Sequence, residues 1–129
     1  SLYALNVTSA INFGTVPPGT NTGATNQPAT TTNTGNFKID IEFSGTDMSS
    51  GGNTLTAAQQ KYATTSATYA SLAYTLSTSP TSKDVNLTKT TASGSPIATT
   101  TYWGIAVPNG QATGTYSGTN TFTAIFSSN

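Results

Sequence analysis

Few side chains in this sequence are able to perform acid–base or nucleophilic chemistry. The chain has no histidine, cysteine or arginine, and its 129 residues include four lysines and four carboxylates. The carboxylates are Asp40, Glu42, Asp47 and Asp84. A glycosidase can work with two carboxylates, and Asp40 and Glu42 share a face if they lie on one strand. Because that spacing is typical of any strand face that meets water, the sequence does not predict an enzyme.

Metal binding has one candidate site. Asp40, Glu42 and Asp47 could hold Ca²⁺ together with carbonyl groups of the 45–52 loop, since calcium accepts irregular oxygen ligands. The alternative is cross-strand pairing of these acids with Lys38 or another lysine, and the spacing of an EF-hand is absent. Zinc is excluded because the chain offers no imidazole or thiolate. We therefore expect no metal site and no cofactor.

Composition favours an all-β domain outside the cell. Ser and Thr make up about a third of the residues, charged residues only 6%, and the formal net charge is zero. Nothing in such a chain would neutralise a nucleic-acid backbone. Its apolar stretches are also far shorter than the ~20 residues that span a membrane. We expect no nucleic-acid partner, no membrane span, and a secreted chain already freed of its signal peptide.

Alternating apolar residues predict most of the strands. The first runs from Tyr3 to Phe13, and others are expected at residues 29–33, 71–77, 84–88, 101–107 and 116–126. The clearest is 37–43, with four apolar residues facing a core and three charged residues facing water or a neighbouring strand: Phe37, Ile39, Ile41 and Phe43, then Lys38, Asp40 and Glu42. Residues 56–62 favour one helical turn. The turn at Pro108, Asn109 and Gly110 is expected to pair the last two strands.

The pattern of seven or eight short strands between Gly, Pro and Asn turns predicts a β-sandwich. Trp103 is in phase with Ile105 and Val107, which predicts a core position. A sugar-binding platform is the alternative for its aromatic groups, formed either by Trp103 with Tyr102 or by Tyr62, Tyr69 and Tyr74.

Three segments carry a resemblance to a known family. They are Ile11-Asn12-Phe13-Gly14-Thr15-Val16-Pro17-Pro18-Gly19, then Thr32-Asn33-Thr34-Gly35-Asn36 running into Ile39-Asp40-Ile41, and Val107-Pro108 leading to Gly114-Thr115-Tyr116-Ser117-Gly118-Thr119. Together they resemble the immunoglobulin-like modules of bacterial and archaeal cell-surface proteins. The resemblance implies an immunoglobulin-like β-sandwich with a structural or adhesive role and no catalytic residues.

The matching pattern begins near Ile11, which leaves residues 1–8 as a surplus strand before a domain of residues 9–129. This arrangement is similar to donor-strand-linked archaeal extracellular filaments, the threads and pili in which each subunit inserts its N-terminal strand into the next subunit's incomplete sheet. The resemblance implies a homopolymer with Leu2, Tyr3, Leu5 and Val7 as subunit contacts. A monomeric adhesive or carbohydrate-binding module, with the first strand in its own sheet, is the alternative. A virion or surface-lattice protein is a third.

Two sequons are candidates for N-linked glycosylation if the chain is exported. They begin at Asn6 and Asn86. Asn6 alternates with Tyr3, Leu5 and Val7, so a glycan there would stay in water while the odd-numbered face is buried. In a chain so rich in Asn and Thr, chance occurrence of these triplets is the alternative.

Overall fold

The computed structural model describes residues 2–89 and 97–127, and these residues form ten strands and two 3₁₀ turns. In chain order the strands are β1 (Leu5–Val7), β2 (Gln27–Asn33), β3 (Ile39–Gly45), β4 (Met48–Ser50), β5 (Asn53–Leu55), β6 (Gln60–Ala63), β7 (Tyr74–Thr75), β8 (Thr81–Leu87), β9 (Ala98–Ile105) and β10 (Asn120–Phe126). One sheet has the order β1-β2-β9-β6-β7, a second the order β10-β3-β8, and β4 and β5 form a separate hairpin.

Aromatic side chains join the two larger sheets. Trp103 of β9 stacks on Tyr62 of β6, with ring centroids 4.6 Å apart. Phe43 of β3 meets Tyr62 at 4.7 Å and Phe122 of β10 at 4.9 Å. The rings of Trp103, Tyr62 and Phe43 lie with aliphatic residues in one buried cluster, and the partly buried Phe122 packs against that cluster. The predicted all-β sandwich is confirmed, and so is the core position of Trp103, which is fully buried.

The expected pairing of the last two strands is wrong. β9 lies in the five-stranded sheet and β10 in the three-stranded sheet, so the turn at residues 108–110 connects strands of different sheets. Trp103 and Phe122 face each other across the interior, 5.6 Å apart. Alternation of apolar residues tells which face of a strand is buried, but it does not tell which strand lies beside it.

The strand predicted at 37–43 is also shifted. β3 begins at Ile39, and Phe37 lies before it with 38% of its side chain exposed. Asp40, expected to face water or a neighbouring strand, is only 4% exposed. Its Oδ1 accepts the backbone N–H of Asn86 at 3.0 Å, where β8 shifts register against β3 and Asn86 takes a φ of 48°. The carboxylate therefore satisfies a donor that the irregular ladder leaves unpaired.

The middle of the chain is less regular than expected. The helical turn appears as a 3₁₀ turn at Ala57–Gln59, and strand β6 follows it directly. The strand predicted at 71–77 shortens to the two residues of β7 after a second 3₁₀ turn, Tyr69–Ser71. Leu72 and Leu76 are nevertheless buried as apolar anchors on either side of β7.

Burial of Tyr62 predicts a loss of stability in alkali. Desolvation, with a smaller contribution from Tyr74, raises the pKa of Tyr62 from 10.0 to about 12. Burial of the neutral Tyr62 phenol stabilises the folded state fully below pH ~10, and this stabilisation is lost as the pH rises to about 12, because the phenol of the unfolded chain ionises first. A pKa change of this size corresponds to about 3 kcal/mol of unfolding free energy. Chemical denaturation at a series of alkaline pH values should show this loss in the native chain. A Tyr62→Phe variant with the same alkaline profile would contradict the assignment.

Candidate interface at the N-terminal strand

The first strand lies at the edge of the five-stranded sheet. β1 pairs antiparallel with β2, with Leu5 opposite Asn33, Asn6 opposite Thr32 and Val7 opposite Thr31. Thr8 continues the ladder by donating its N–H to the Thr30 carbonyl at 3.0 Å. At the other end, Thr34 donates to the Ala4 carbonyl at 3.2 Å. The even-numbered residues therefore bond to β2, and the backbone groups of Tyr3, Leu5 and Val7 point away from it.

The turn after β2 anchors the start of the chain. Leu2 donates its N–H to Asn36 Oδ1 at 2.8 Å and accepts the Asn36 N–H at 3.0 Å. Gly35 makes this approach possible, because a Cβ there would overlap the Leu2 carbonyl oxygen and lie 2.9 Å from the Ala4 nitrogen. Asn33 holds the turn from inside by donating to the carbonyls of Phe37 at 2.7 Å and Leu87 at 3.0 Å.

Side chains of the first residues reach both sheets. Tyr3 meets Phe37 at 5.8 Å and Phe126 of β10 at 6.4 Å between ring centroids. Leu5 packs against the core cluster, and Val7 is half-buried. Leu2 and Tyr3, in contrast, are 57% and 44% exposed. Of the four predicted contact residues, Leu5 and Val7 lie on β1 and Leu2 and Tyr3 directly precede it, and β1 belongs to the chain's own sheet in this single copy.

Beyond Thr8 the chain loses its ladder. Residues 8–18 form no strand, although Ile11 and Phe13 pack against the core. Within the described residues, no ladder joins β1 to β10, the strand across the seam between the sheets. Two adjoining cavities of about 280 and 730 Å³ lie along this segment and share Ile11, Phe13 and Met48 in their walls. We refer to them together as the trough.

The trough has an uncharged lining with one buried amide. Gln60 is 2% exposed and lines the smaller cavity. One end of its amide accepts from Asn120 Nδ2 at 2.9 Å. The trough is therefore suited to a neutral occupant and unsuited to a charged one.

Both sequon asparagines are exposed. Asn6 points outward from β1 between the half-buried Leu5 and Val7, as the alternation predicted. Asn86 lies near the end of β8, where its Oδ1 accepts the Ser127 hydroxyl at 3.0 Å. N-linked glycosylation modifies the Nδ2 atom, so a glycan on Asn6 would leave the β1–β2 ladder intact, and one on Asn86 would leave Oδ1 able to accept the Ser127 hydroxyl.

The acids considered for a metal site lie apart from one another, and lysines cover tyrosines considered for a sugar-binding platform. Asp47 accepts the Ala57 N–H at 2.8 Å, separate from Asp40 at the β8 bulge. Residues 2–89 and 97–127 contain no cluster of three acids that could hold a metal ion. Lys83 lies 4.3 Å from the centroid of Tyr74 and Lys61 lies 5.1 Å from that of Tyr69, so each lysine covers a ring that a sugar platform would need. In the described part of the chain no helix has the length and apolarity to cross a membrane.

Sequence reasoning missed the anchoring role of Gly35 and Asn36. Their signal lies in the Asn33-Thr34-Gly35-Asn36 segment, whose Gly and Asn residues are typical of a turn into the next strand. A Gly beside Asn residues also permits close approach of another backbone, and here that backbone is the N-terminal segment.

Comparison of the chain with protein-family models, with curated proteins and with solved structures gave no match.

Proposed function

We propose that this chain is the structural subunit of a secreted extracellular filament, and that it polymerises head to tail by donating its N-terminal strand to the next subunit. The observation that carries the proposal is that β1 is held only weakly in its own sheet. It is a terminal edge strand with three residue pairs, and the apolar residues before it, Leu2 and Tyr3, are largely exposed. It is followed by residues 8–18, which add no strand of their own.

Donation requires β1 to leave its own sheet, and the cost is modest. Each backbone hydrogen bond contributes about 1 kcal/mol net, and burial of an apolar side chain contributes roughly 1.5–3 kcal/mol when complete. Tyr3 and Val7 are only partly buried, so they contribute less than that. A donated strand recovers these terms in the neighbour, while association costs about 4–15 kcal/mol. Further contacts between subunits must therefore stabilise a lasting filament.

Such a contact leads to open-ended growth. The donating and accepting surfaces differ, so the contact is heterologous, and a heterologous contact that does not close into a ring produces a fibre. The all-β sandwich, the low charge and the resemblance to immunoglobulin-like surface modules fit a structural role outside the cell. Glycans on Asn6 and Asn86 belong to the same proposal, because both side chains are exposed.

A monomeric adhesive or carbohydrate-binding module is the second candidate. The β1–β2 pairing within one chain favours it, since such a module keeps its first strand in its own sheet. The trough would be its binding site, with the Gln60 amide and the hydroxyl-rich wall facing a neutral sugar. Titration with neutral oligosaccharides separates the candidates: saturable binding that Gln60→Ala removes, from a protein that stays monomeric, would favour the module.

Deletion of residues 1–8 tests the filament directly. The truncated chain is expected to sediment as a monomer at concentrations where the full chain sediments as long assemblies. Circular dichroism should show that the truncated chain keeps its β structure, because the aromatic core lies outside the deleted residues. Filaments of normal length from the truncated chain would rule out donation of the N-terminal strand.

A further inference from the structure

We infer that the acceptor of the donated strand is the β2 edge of the next copy, in the same register that β1 adopts within its own chain, so that the closed monomer is a self-capped precursor. The inference rests on the proposed function and specifies its partner surface. The evidence is the fit between residues 2–8 and a slot on the chain's own surface. We define the slot as β2 together with the turn at residues 33–36, which pairs with the backbone of residues 2–8 along their whole length.

The slot recognises more than a generic strand. Asn36 bonds both the N–H and the carbonyl of Leu2, and Gly35 leaves room for Leu2 and Ala4 to approach. Tyr3 closes the end of the slot against Phe37 and Phe126. Every one of these contacts is available to the same segment of a second copy. Exchange of an identical element between copies therefore preserves the contacts and has a low cost.

The vacated slot must be refilled. Thr30, Thr32 and Thr34 pair with the first residues through their backbone groups, and release of β1 leaves these groups without partners. An open sheet edge is a template for pairing with another chain. A copy whose strand has moved to a neighbour therefore presents a free slot to the next copy, and growth continues from it.

The free edge of β10, which lies beside β1, is a poorer acceptor. β10 pairs with β3 on one side, and its second side faces the seam beside β1. Asn120, at its start, is already bonded to Gln60, and the other end lies under Tyr3. This edge has no equivalent of the Asn36 and Gly35 anchor.

The connecting segment has the reach that exchange needs. Residues 9–18 could span about 33–36 Å when extended, compared with a radius of gyration of about 14 Å for a domain of this size. Pro17 and Pro18 favour an extended backbone. Ser9 and Ala10 are exposed and form no strand, which makes them the first hinge positions after β1.

Single cysteines distinguish exchange from self-pairing. Val7 and Thr31 are direct partners across the ladder, at a spacing within disulfide reach, and the chain has no cysteine of its own. Val7→Cys protein and Thr31→Cys protein are polymerised as a mixture, oxidised, and separated on a denaturing, non-reducing gel. We expect covalent dimers from the mixture and none from either protein alone. The double variant should give an intrachain disulfide and no filaments when it is oxidised as a monomer, and covalent multimers when it is oxidised after assembly.

A second mixture tests the alternative acceptor. Crosslinking between Val7→Cys and Ala124→Cys proteins would show that the donated strand lies at the β10 edge. Filaments that crosslink only in this second mixture overturn the inference and leave the proposed function standing. Filaments from the oxidised monomeric double variant would overturn strand donation itself. If Thr31→Cys does not fold, the neighbouring pair Asn6→Cys and Thr32→Cys, of exposed Asn6 and partly buried Thr32, replaces it. Absence of crosslinked dimers from that mixture in filaments counts against exchange.

Discussion

Gly35→Ala is expected to abolish filaments while leaving a folded domain. The added Cβ would overlap the Leu2 carbonyl oxygen and crowd the Ala4 nitrogen, and both are backbone atoms that cannot rotate away. The same clash arises whether residues 2–4 come from the chain itself or from a neighbour. The strand therefore loses its anchor in both the closed and the assembled forms. Sedimentation velocity should show monomers, and proteolysis should release residues before Thr8 much faster than in the native chain.

The matched control is Thr34→Ala, at the exposed neighbour of Gly35. Its backbone N–H still donates to the Ala4 carbonyl, and no side-chain contact of Thr34 in the slot is lost. This variant should assemble as the native chain does. Filaments of undiminished length from Gly35→Ala, with its N-terminus protected, would mean that the strand binds without this anchor.

Trp103→Ala is expected to cost the largest share of the folding free energy. Trp103 is fully buried, stacks on Tyr62 and Phe122, and donates its indole N–H to Thr101 Oγ1 at 2.9 Å. Truncating a buried Trp to Ala typically costs about 3–5 kcal/mol, against a total stability of about 5–15 kcal/mol for a domain. Urea denaturation should show a much lower midpoint.

Trp103→Phe is the control for this prediction. It keeps an aromatic ring between the two sheets and loses the indole N–H, so its cost should be clearly smaller than that of the alanine variant. The Thr101 hydroxyl retains the Ala29 carbonyl as a partner at 3.3 Å. Equal costs for the two variants would show that stacking on Tyr62 contributes little to stability.

The all-β fold class could be predicted because the alternation of apolar and polar residues that indicates a strand lies within the sequence of that strand. Ile39, Ile41, Phe43 and Trp103 were expected in the core and are buried there. Strand neighbours were not readable, since β9 and β10 carry the same alternation whether they pair or face each other across the sandwich. Asp40 was misplaced for a similar reason. Its burial depends on a bulge in β8, which lies more than forty residues away in the chain.

The candidate interface was predicted only in part. The apolar face of Tyr3, Leu5 and Val7 and the outward position of Asn6 followed from a period of two. The strand's end at Val7 did not, because Ile11 and Phe13 continue the apolar alternation but pack without a ladder. The anchor at Gly35 and Asn36 could not be assigned to the N-terminus, since a turn motif does not show which distant backbone will approach it.

Electron microscopy of the purified, untruncated chain tests most directly whether the chain polymerises by donating its N-terminal strand. Strand donation should give long, thin threads with a regular subunit repeat, which become more abundant as the protein concentration rises. A field of isolated particles at every concentration, with residues 2–8 protected from exchange inside each monomer, would contradict it.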